Sequence, residues 1–303
     1  MTVIYESKDR EGGKTWEYYV VKTISKNKKP DRELLSEEAC HDSFKRLTGH
    51  MRLFLKAVKP LFVGSGEYEF DNQCIYLPFT RRAGKLIIPG SSLKGFIRSY
   101  TEALSPSCFG GECQEGRLCP CCGIFGAKDY MGRVSFLDAQ PSGEYSTEIV
   151  EIKIRWGRSN RDRGGRRLYY HGDVWEAEKD TGERVEVVPS ETQFHFNLLF
   201  KNLAEWELGL LILAMGISPK YRFDLKMGGG KNRGLGSIRF ELSEIQARQS
   251  KDSFSSFHIQ TKSCQVDKLI ESYFKKFPQY KDDIEQLIKD FHSRTKLEED
   301  DVQ

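Results

Sequence analysis

The chain has 303 residues, of which 38% are hydrophobic and 30% are charged, and its formal net charge is +3. This composition is typical of a globular protein, and the length is enough for one large domain or two smaller ones. The sequence contains no apolar run near the ~20 residues that a membrane span needs and no amino-terminal signal segment, so we expect a cytoplasmic protein with reduced thiols and no membrane partner.

The first half of the chain begins with a polar, poorly patterned segment, and we interpret residues 1–46 as an amino-terminal arm. From Leu47, apolar and polar residues alternate, which predicts a strand ending before Gly64. A short apolar run, GKLIIPG, follows. Residues 91–104 then have apolar positions at helical spacing, which predicts a helix with Ser91 or Ser92 as its N-cap.

The second half contains further strands and one more core helix. GRVSFLDA, EIVEIKIRW and RVEVVPSETQFHFNLLF have strand patterns, residues 203–215 have a helical pattern, and GLGSIRFEL predicts a last strand. This order predicts an α+β fold. We therefore expect a core domain over residues 47–243 and a helical C-terminal extension over residues 244–303.

Five of the eight cysteines lie within fifteen positions, in the segment SPSCFGGECQEGRLCPCCGIFG, residues 105–126. Four of them have the spacing C-x4-C-x5-C-x2-C, which allows the thiolates to surround one tetrahedral zinc ion. The segment contains no histidine, which favours a structural site over a catalytic one. The alternatives are unmetallated thiols or a disulfide pair. The predicted ligands are Cys108, Cys113, Cys119 and Cys122, with Cys121 as a possible substitute.

A glycine-rich segment, KMGGGKNRGLGSIRF, combines five glycines with basic side chains. Such a loop lets backbone N–H groups approach phosphates while cations neutralise their charge. It is not a Walker A loop, and a helix precedes it where a dinucleotide fingerprint requires a strand. The alternative is a flexible basic surface loop. The candidate phosphate contacts are Lys226, Gly229, Gly230, Lys231, Asn232 and Arg233.

Two further elements have groups that bind a polyanion. The helix start PGSSLKGFIRS offers unpaired N–H groups, with Lys94 and Arg98 one turn apart, although ordinary capping with solvated side chains is the alternative. Residues 153–167 carry seven basic side chains and one acid. Together with the glycine-rich loop, these elements predict a path for a nucleic-acid backbone. The candidates here are Ser91, Ser92, Lys94, Arg98, Arg158, Arg161, Arg163, Arg166 and Arg167.

The order of these motifs resembles a known family. A G-x-G after the first strand is followed by IIPGSSLKGFIRS, CPCCGIFG, GRVSFLDA and GGGKNRGLGS. This series resembles the RAMP superfamily, and within it the backbone subunits of type III CRISPR effector complexes. The similarity covers roughly residues 47–243. The PGSSLKG and cysteine motifs resemble the type III branch, whereas the glycine-rich loop is shared with CRISPR RNA-processing endonucleases.

The resemblance implies a ferredoxin-like, RRM-like β-α-β-β-α-β core with a zinc-stapled insertion over residues 105–126 and a β-hairpin thumb over about residues 153–188. It also implies that the protein grips the backbone of a CRISPR guide RNA and supports pairing with a complementary target RNA. Its partners would be other effector subunits, including copies of itself. Tyr169, Tyr170 and His171 would then be placed to stack against bases.

The resemblance leaves the question of catalysis open. In catalytic members an aspartate between the first strand and PGSSLKG cuts target RNA with a divalent metal, and Asp71 is the only aspartate there. Asp71 would use Mg²⁺, or it would be a solvated turn residue in a scaffold protein. One alternative is a processing endoribonuclease with His41 or His50 as acid–base. The other is a non-catalytic capping subunit that docks a neighbour through its arm and helical tail.

Overall fold

The computed structural model of the chain describes residues 4–11, 14–22, 34–35, 41, 44–70, 74–108, 113–114, 116–153, 165–169, 171, 182–249, 262–263 and 265–293. Within these ranges no helix is both long and apolar enough to cross a membrane. The described chain is a mixed α/β structure built on an antiparallel sheet.

The helices and strands of the described residues follow one another along the whole chain. The strands are β1 (Ile4–Glu11), β2 (Lys14–Lys22), β3 (Leu34–Leu35), β4 (Leu47–Ala57), β5 (Glu69–Phe70), β6 (Ile75–Tyr76), β7 (Arg81–Arg82), β8 (Lys85–Leu86), β9 (Arg117–Leu118), β10 (Gly126–Ala127), β11 (Tyr130–Met131), β12 (Val134–Phe136), β13 (Gln140–Pro141), β14 (Glu148–Lys153), β15 (Gly165–Tyr169), β16 (Gly182–Val187), β17 (Gln193–Leu203), β18 (Leu225–Lys226), β19 (Ser237–Arg248) and β20 (Lys262–Ser263). The α-helices are α1 (Gly90–Ala103), α2 (Pro120–Phe125), α3 (Glu205–Ala214), α4 (Val266–Lys276) and α5 (Lys281–Ser293).

The main sheet is antiparallel and has the strand order β12-β17-β4-β19-β18, with β13 beside β17 and β20 beside β19. The central strand β4 confirms the predicted alternation, because Met51, Leu53 and Leu55 are buried while Arg52 between them is exposed. One face of the sheet is therefore covered and the other is open. Along the chain, the core elements run β4, α1, β12, β17, α3 and β19.

The two core helices differ in how much of their surface is covered. Helix α1 buries one face, including Leu93 and Ile97. Helix α3 is buried from Glu207 to its end at Ala214, which is typical of a helix packed on more than one side. The second layer on α3 is helix α4: a methyl group at Gly209 would lie 2.0 Å from the backbone oxygen of Leu269, so only glycine permits this close approach.

The C-terminal region differs from the predicted helical extension. Strand β19 continues to Arg248 and pairs with β20, so the sheet does not end at residue 243. Helices α4 and α5 bury Tyr273 and Phe291 in the same core as the sheet, and the Tyr273 hydroxyl donates to the backbone oxygen of Leu104 at 2.7 Å. These helices complete the core of their own chain.

The amino-terminal arm also contains regular structure. Strands β1 and β2 form an antiparallel hairpin, and β2 pairs with β15, the strand that carries Arg166 and Arg167. In the predicted thumb, β14 pairs with β16, and Ile152, Val185 and Val187 pack on Leu235 of the glycine-rich loop. The base of this hairpin is therefore anchored beside that loop.

Candidate nucleic-acid interface and metal centre

A cavity of about 450 Å³ opens where helix α1, the glycine-rich loop and strand β15 meet. We call it the RNA cavity below, because its chemistry bears on the predicted RNA path. Three elements that are far apart in the sequence thus share one site. The residues around it are Val63, Gly64, Ser91, Ser92, Gly95, Phe96, Ser99, Tyr100, Leu168, Tyr169, Lys226, Met227, Gly228, Gly229 and Lys231.

The start of helix α1 exposes Ser91 and Ser92 at this cavity. Neither serine is the N-cap that the pattern predicted, because the helix begins at Gly90 and its N-cap is Pro89. The Gly90 N–H instead donates to Oδ1 of Asp138 at 2.9 Å, since the helix start lies against the end of β12. The serine hydroxyls are therefore left at the surface of the cavity.

The glycine-rich loop is shaped by left-handed backbone at Gly228, Gly230, Gly234 and Gly236, where φ is between 65° and 86°. Glycine adopts these angles without the steric cost that a Cβ imposes. At Gly228 a methyl group would also lie 2.1 Å from the backbone oxygen of Phe62, so the loop packs directly on the chain that follows β4.

Two lysines of this loop have different environments. The Nζ of Lys226 donates to the backbone oxygens of Gly234 and Leu235 at 2.9 and 3.0 Å, so its ammonium group links the start of the loop to residues near its end. The Nζ of Lys231 lies 5.7 Å from the ring centroid of Tyr169 at the cavity, and burial lowers the pKa of Lys231. A partly desolvated ammonium group at an open cavity interacts strongly with an incoming anion.

Four predicted contacts do not line the cavity. Arg98 and Arg166 both bind the carboxylate of Glu102. Lys94 does not line the cavity, and burial together with the nearby Arg98 lowers its pKa. Arg233 is buried in the 3₁₀ turn Lys231–Arg233.

Two more predicted contacts, Gly230 and Asn232, are half-buried in the loop beside the cavity. In the arginine-rich segment, Arg158, Arg161 and Arg163 lie outside the described residues. Arg167 is placed in β15 by its backbone pairing with Val20.

The predicted aromatic contacts are also separated. Tyr169 lines the cavity, whereas Tyr170 lies outside the described residues. His171 is buried, and its Nδ1 lies 3.0 Å from the Ser237 hydroxyl. Burial, with a smaller contribution from Lys226, lowers the pKa of His171 to about 3, so this side chain is a neutral core residue.

Several residues that line the cavity were not predicted from the sequence. Gly95 and Ser99 follow Ser91 at intervals of four, so small side chains repeat along one helical face, and this spacing was the available signal. Phe96 and Tyr100 were counted only among the apolar positions at helical spacing. Tyr100 is buried, but its hydroxyl accepts the backbone N–H of Lys226 at 3.0 Å and so holds the start of the loop.

The four predicted cysteine ligands meet at a buried site. Sγ atoms of Cys108, Cys113, Cys119 and Cys122 all lie within 4.8 Å of one another. Distances from the Cys108 Sγ are 3.8 Å to Cys113, 3.6 Å to Cys119 and 3.4 Å to Cys122. Tetrahedral zinc with Zn–S bonds of about 2.3 Å would set its sulfurs about 3.8 Å apart. The observed spacing therefore fits a zinc-sized ion.

Local structure prepares these thiols for a cation. Backbone N–H groups of Cys119 and Cys122 donate to the sulfurs of Cys113 and Cys119 at 3.4 and 3.5 Å. Hydrogen bonds among the four thiols lower the pKa of Cys108 and raise the pKa of Cys122, so the cluster holds its first negative charge on Cys108. Cys121 is placed differently: its thiol is 3.8 Å from the backbone oxygen of Arg98, and burial raises its pKa. Cys121 is therefore not one of the four clustered sulfurs.

A buried ion pair docks this cysteine insertion on the core. Arg133 and Glu207 are both fully buried and form a bidentate pair, and the Arg133 Nε donates to the backbone oxygen of Gly123 at 2.9 Å. Glu207 also accepts the N–H of Ala204 at the start of α3. The insertion is thus fixed to a core helix through a side chain of the GRVSFLDA motif.

The candidate catalytic groups remain predictions. Asp71 lies outside the described residues. The Nε2 of His41 lies 2.8 Å from the backbone oxygen of Met131, and His50 is in β4, paired with Leu199 and Gln246. Neither histidine lines the RNA cavity.

The comparison with known families agrees with the motif order. A model described as the RAMP superfamily matches residues 54–239, which include the end of β4, all of α1, the cysteine cluster, the RNA cavity and most of the glycine-rich loop. No curated protein matches the sequence. The family match covers more than half of the chain, and the chain therefore belongs to the RAMP superfamily.

Proposed function

We propose that this chain is a guide-RNA-binding subunit of a type III CRISPR effector complex. The observation that carries the proposal is the RNA cavity, where the serines of α1, the glycine-rich loop and the ammonium of Lys231 lie around one opening. Hydroxyl groups, closely approachable backbone and a cation are the groups that bind phosphates. Superfamily membership supports CRISPR RNA as the polyanion.

The core that presents this cavity is proposed to be ferredoxin-like. The order β4, α1, β12, β17, α3, β19 and the sheet order β12-β17-β4-β19 support this assignment, because a split βαβ arrangement has the same alternation. Single-stranded RNA is commonly bound on folds of this type. Bases that leave the backbone path can stack on Tyr169 at the rim.

The cysteine cluster is proposed to hold one structural zinc ion. Cys108, Cys113, Cys119 and Cys122 would be its ligands, and a four-thiolate site leaves no open position for a substrate. A reduced thiolate cluster is also consistent with a cytoplasmic location. The role of the metal would be to hold the insertion that precedes strand β12.

Within the complex, a repeating backbone subunit and a terminal capping subunit both fit this RNA-binding site. Cleavage of target RNA by Asp71 with Mg²⁺ is a further proposal, tested by Asp71→Ala in an assembled complex. Loss of Mg²⁺-dependent target cutting would assign catalysis to this subunit, and unchanged cutting would leave it a scaffold. The processing-endonuclease alternative is favoured only if His41→Ala or His50→Ala abolishes cutting of the precursor RNA.

The test of RNA binding uses the full chain and fluorescently labelled single-stranded RNAs of two unrelated sequences. We expect Lys231→Gln to weaken both alike, by about tenfold, and to lower the slope of log affinity against log salt by about 0.7, as for one lost phosphate contact. Lys268→Gln, an equal charge change on the exposed side of helix α4, is the matched control. Equal affinity of the two variants would contradict the proposed path.

A further inference from the structure

Helix α1 contains one fully buried carboxylate, Glu102, that is bound by two arginines from different parts of the chain. Arg98, one turn earlier on α1, donates through Nε to Oε1 at 3.0 Å. Arg166 of β15 binds Oε2. Removing one partner of a buried ion pair leaves an uncompensated charge, so this array strongly favours a single arrangement of the two elements.

Arg98 extends the array to the cysteine insertion. Its remaining nitrogens donate to the backbone oxygen of Gly126 at 3.0 Å and to the Sγ of Cys122 at 3.5 Å. All nitrogens of this guanidinium thus face protein acceptors. The carboxylate of Glu102 lies where α1, β15 and the cysteine insertion meet.

The same two elements both line the RNA cavity. Helix α1 contributes Ser91 and Ser92, and β15 contributes Leu168 and Tyr169, which follow Arg166 by two and three positions. A strand of five residues anchored at its second position has little freedom near that anchor. The Glu102–Arg166 pair therefore joins the two elements close to the cavity.

We propose that Glu102 is a positioning residue for RNA binding: it holds Arg166, and so fixes β15 against α1 at the width that an RNA strand requires. The inference rests on the proposed function, in which the cavity takes RNA. It assigns Arg98 and Arg166 to a carboxylate within the protein, where the sequence pattern predicted contacts with phosphates.

The two assignments predict effects of opposite sign. If Arg98 and Arg166 bind phosphates, Glu102→Gln removes a competing anion and RNA affinity rises. If Glu102 positions β15, the same change loosens one wall and RNA affinity falls. Arg166→Gln also distinguishes the two assignments. Loss of a phosphate contact lowers the slope of log affinity against log salt by about 0.7, whereas loss of a positioning contact leaves this slope unchanged.

The experiment measures affinity for labelled single-stranded RNA over a salt series. The proteins are the full wild-type chain, Glu102→Gln, Arg166→Gln and the double variant. We expect each single change to weaken binding about tenfold at unchanged slope, and the double variant to be no weaker than the singles, because both remove one interaction. Arg52→Gln is the control, since Arg52 pairs with Glu244 at 3.3 Å on the open face of the sheet. Tighter binding by Glu102→Gln, or a reduced slope for Arg166→Gln, would overturn the inference.

A second readout does not depend on RNA. Hydrogen exchange of the backbone amides in residues 165–169 should be about tenfold faster in both variants than in wild type, because the strand opens locally more often. If Glu102→Gln does not fold, Arg166→Gln carries the test alone, since its side chain is partly exposed. If the amides of residues 165–169 exchange at the wild-type rate in both variants, the positioning role is wrong. If the wild-type protein does not bind RNA, the proposed function itself is contradicted.

Discussion

The Tyr100 hydroxyl accepts the backbone N–H of Lys226 at 3.0 Å, which joins the last turn of helix α1 to the first residue of the glycine-rich loop. The Tyr100 ring is buried between Phe96 and Phe223, and burial raises the pKa of Tyr100. This hydroxyl is thus neutral and fixed in position. The contact aligns two walls of the RNA cavity that are more than a hundred residues apart.

Tyr100→Phe removes this acceptor from a buried N–H while keeping the ring. We expect the free energy of unfolding to fall by about 1–3 kcal/mol, measured by denaturant titration. Tyr68→Phe is the control, because the Tyr68 hydroxyl binds Glu183 at an exposed site, and this change should leave the free energy of unfolding nearly unchanged. Equal stability of the two variants would mean that the contact does not hold the loop.

Two glycines with similar positive φ test the packing of the loop. At Gly84, φ is 77° and a methyl group would meet no atom within 4 Å, so Gly84→Ala should cost only about 1–2 kcal/mol of backbone strain. At Gly228, φ is 84° and the methyl group would collide with the backbone oxygen of Phe62. Gly228→Ala should therefore cost about 1–3 kcal/mol more and weaken RNA binding, which Gly84→Ala should leave unchanged. Equal losses of stability in the two variants would contradict this packing.

The cysteine cluster predicts about one zinc per chain in purified protein, measured by elemental analysis. Cys119→Ser should remove the metal and lower the melting temperature, because a structural site contributes its binding free energy to folding. Cys74→Ser, at a half-buried thiol outside the cluster, should keep both unchanged. Chelation that strips the zinc without any change in melting temperature would dismiss a structural role.

His171 predicts a loss of stability in acid. Its pKa is about 3 in the folded protein and about 6.5 when unfolded, so the unfolded chain binds the proton first as the pH falls below 6.5. Between pH 6.5 and 5 this group alone should cost about 2 kcal/mol of folding free energy. His171→Gln has no side chain that gains a proton in this range, so its free energy of unfolding should fall correspondingly less between the two pH values. Denaturant-induced unfolding at pH 6.5 and at pH 5 measures the difference. Parallel losses in the two proteins would show that His171 is not buried in its neutral form.

Several features of this protein follow from short-range sequence patterns. The alternation after Leu47 and the helical spacing after Gly90 correctly predict β4 and α1, because each pattern repeats the geometry of its own element. The four clustered cysteines were also predicted, since short loops permit only nearby sulfurs to converge. Residues 1–46 and 244–248 were not assigned to strands, because their polar side chains carry little periodic signal, and β2 and the end of β19 pair with strands elsewhere in the chain.

The identities of the motifs and their local elements were therefore determined by the sequence alone. The partners of Lys226 and Arg166, in contrast, were decided only by the tertiary structure. Lys226 donates to carbonyls of its own loop, and Arg166 reaches Glu102 across 64 positions. Such contacts depend on how strands and helices pack, and no local spacing encodes them. A basic residue in a motif shows that a cation is present, whereas the fold decides whether it faces an anion from outside or a carboxylate within the protein.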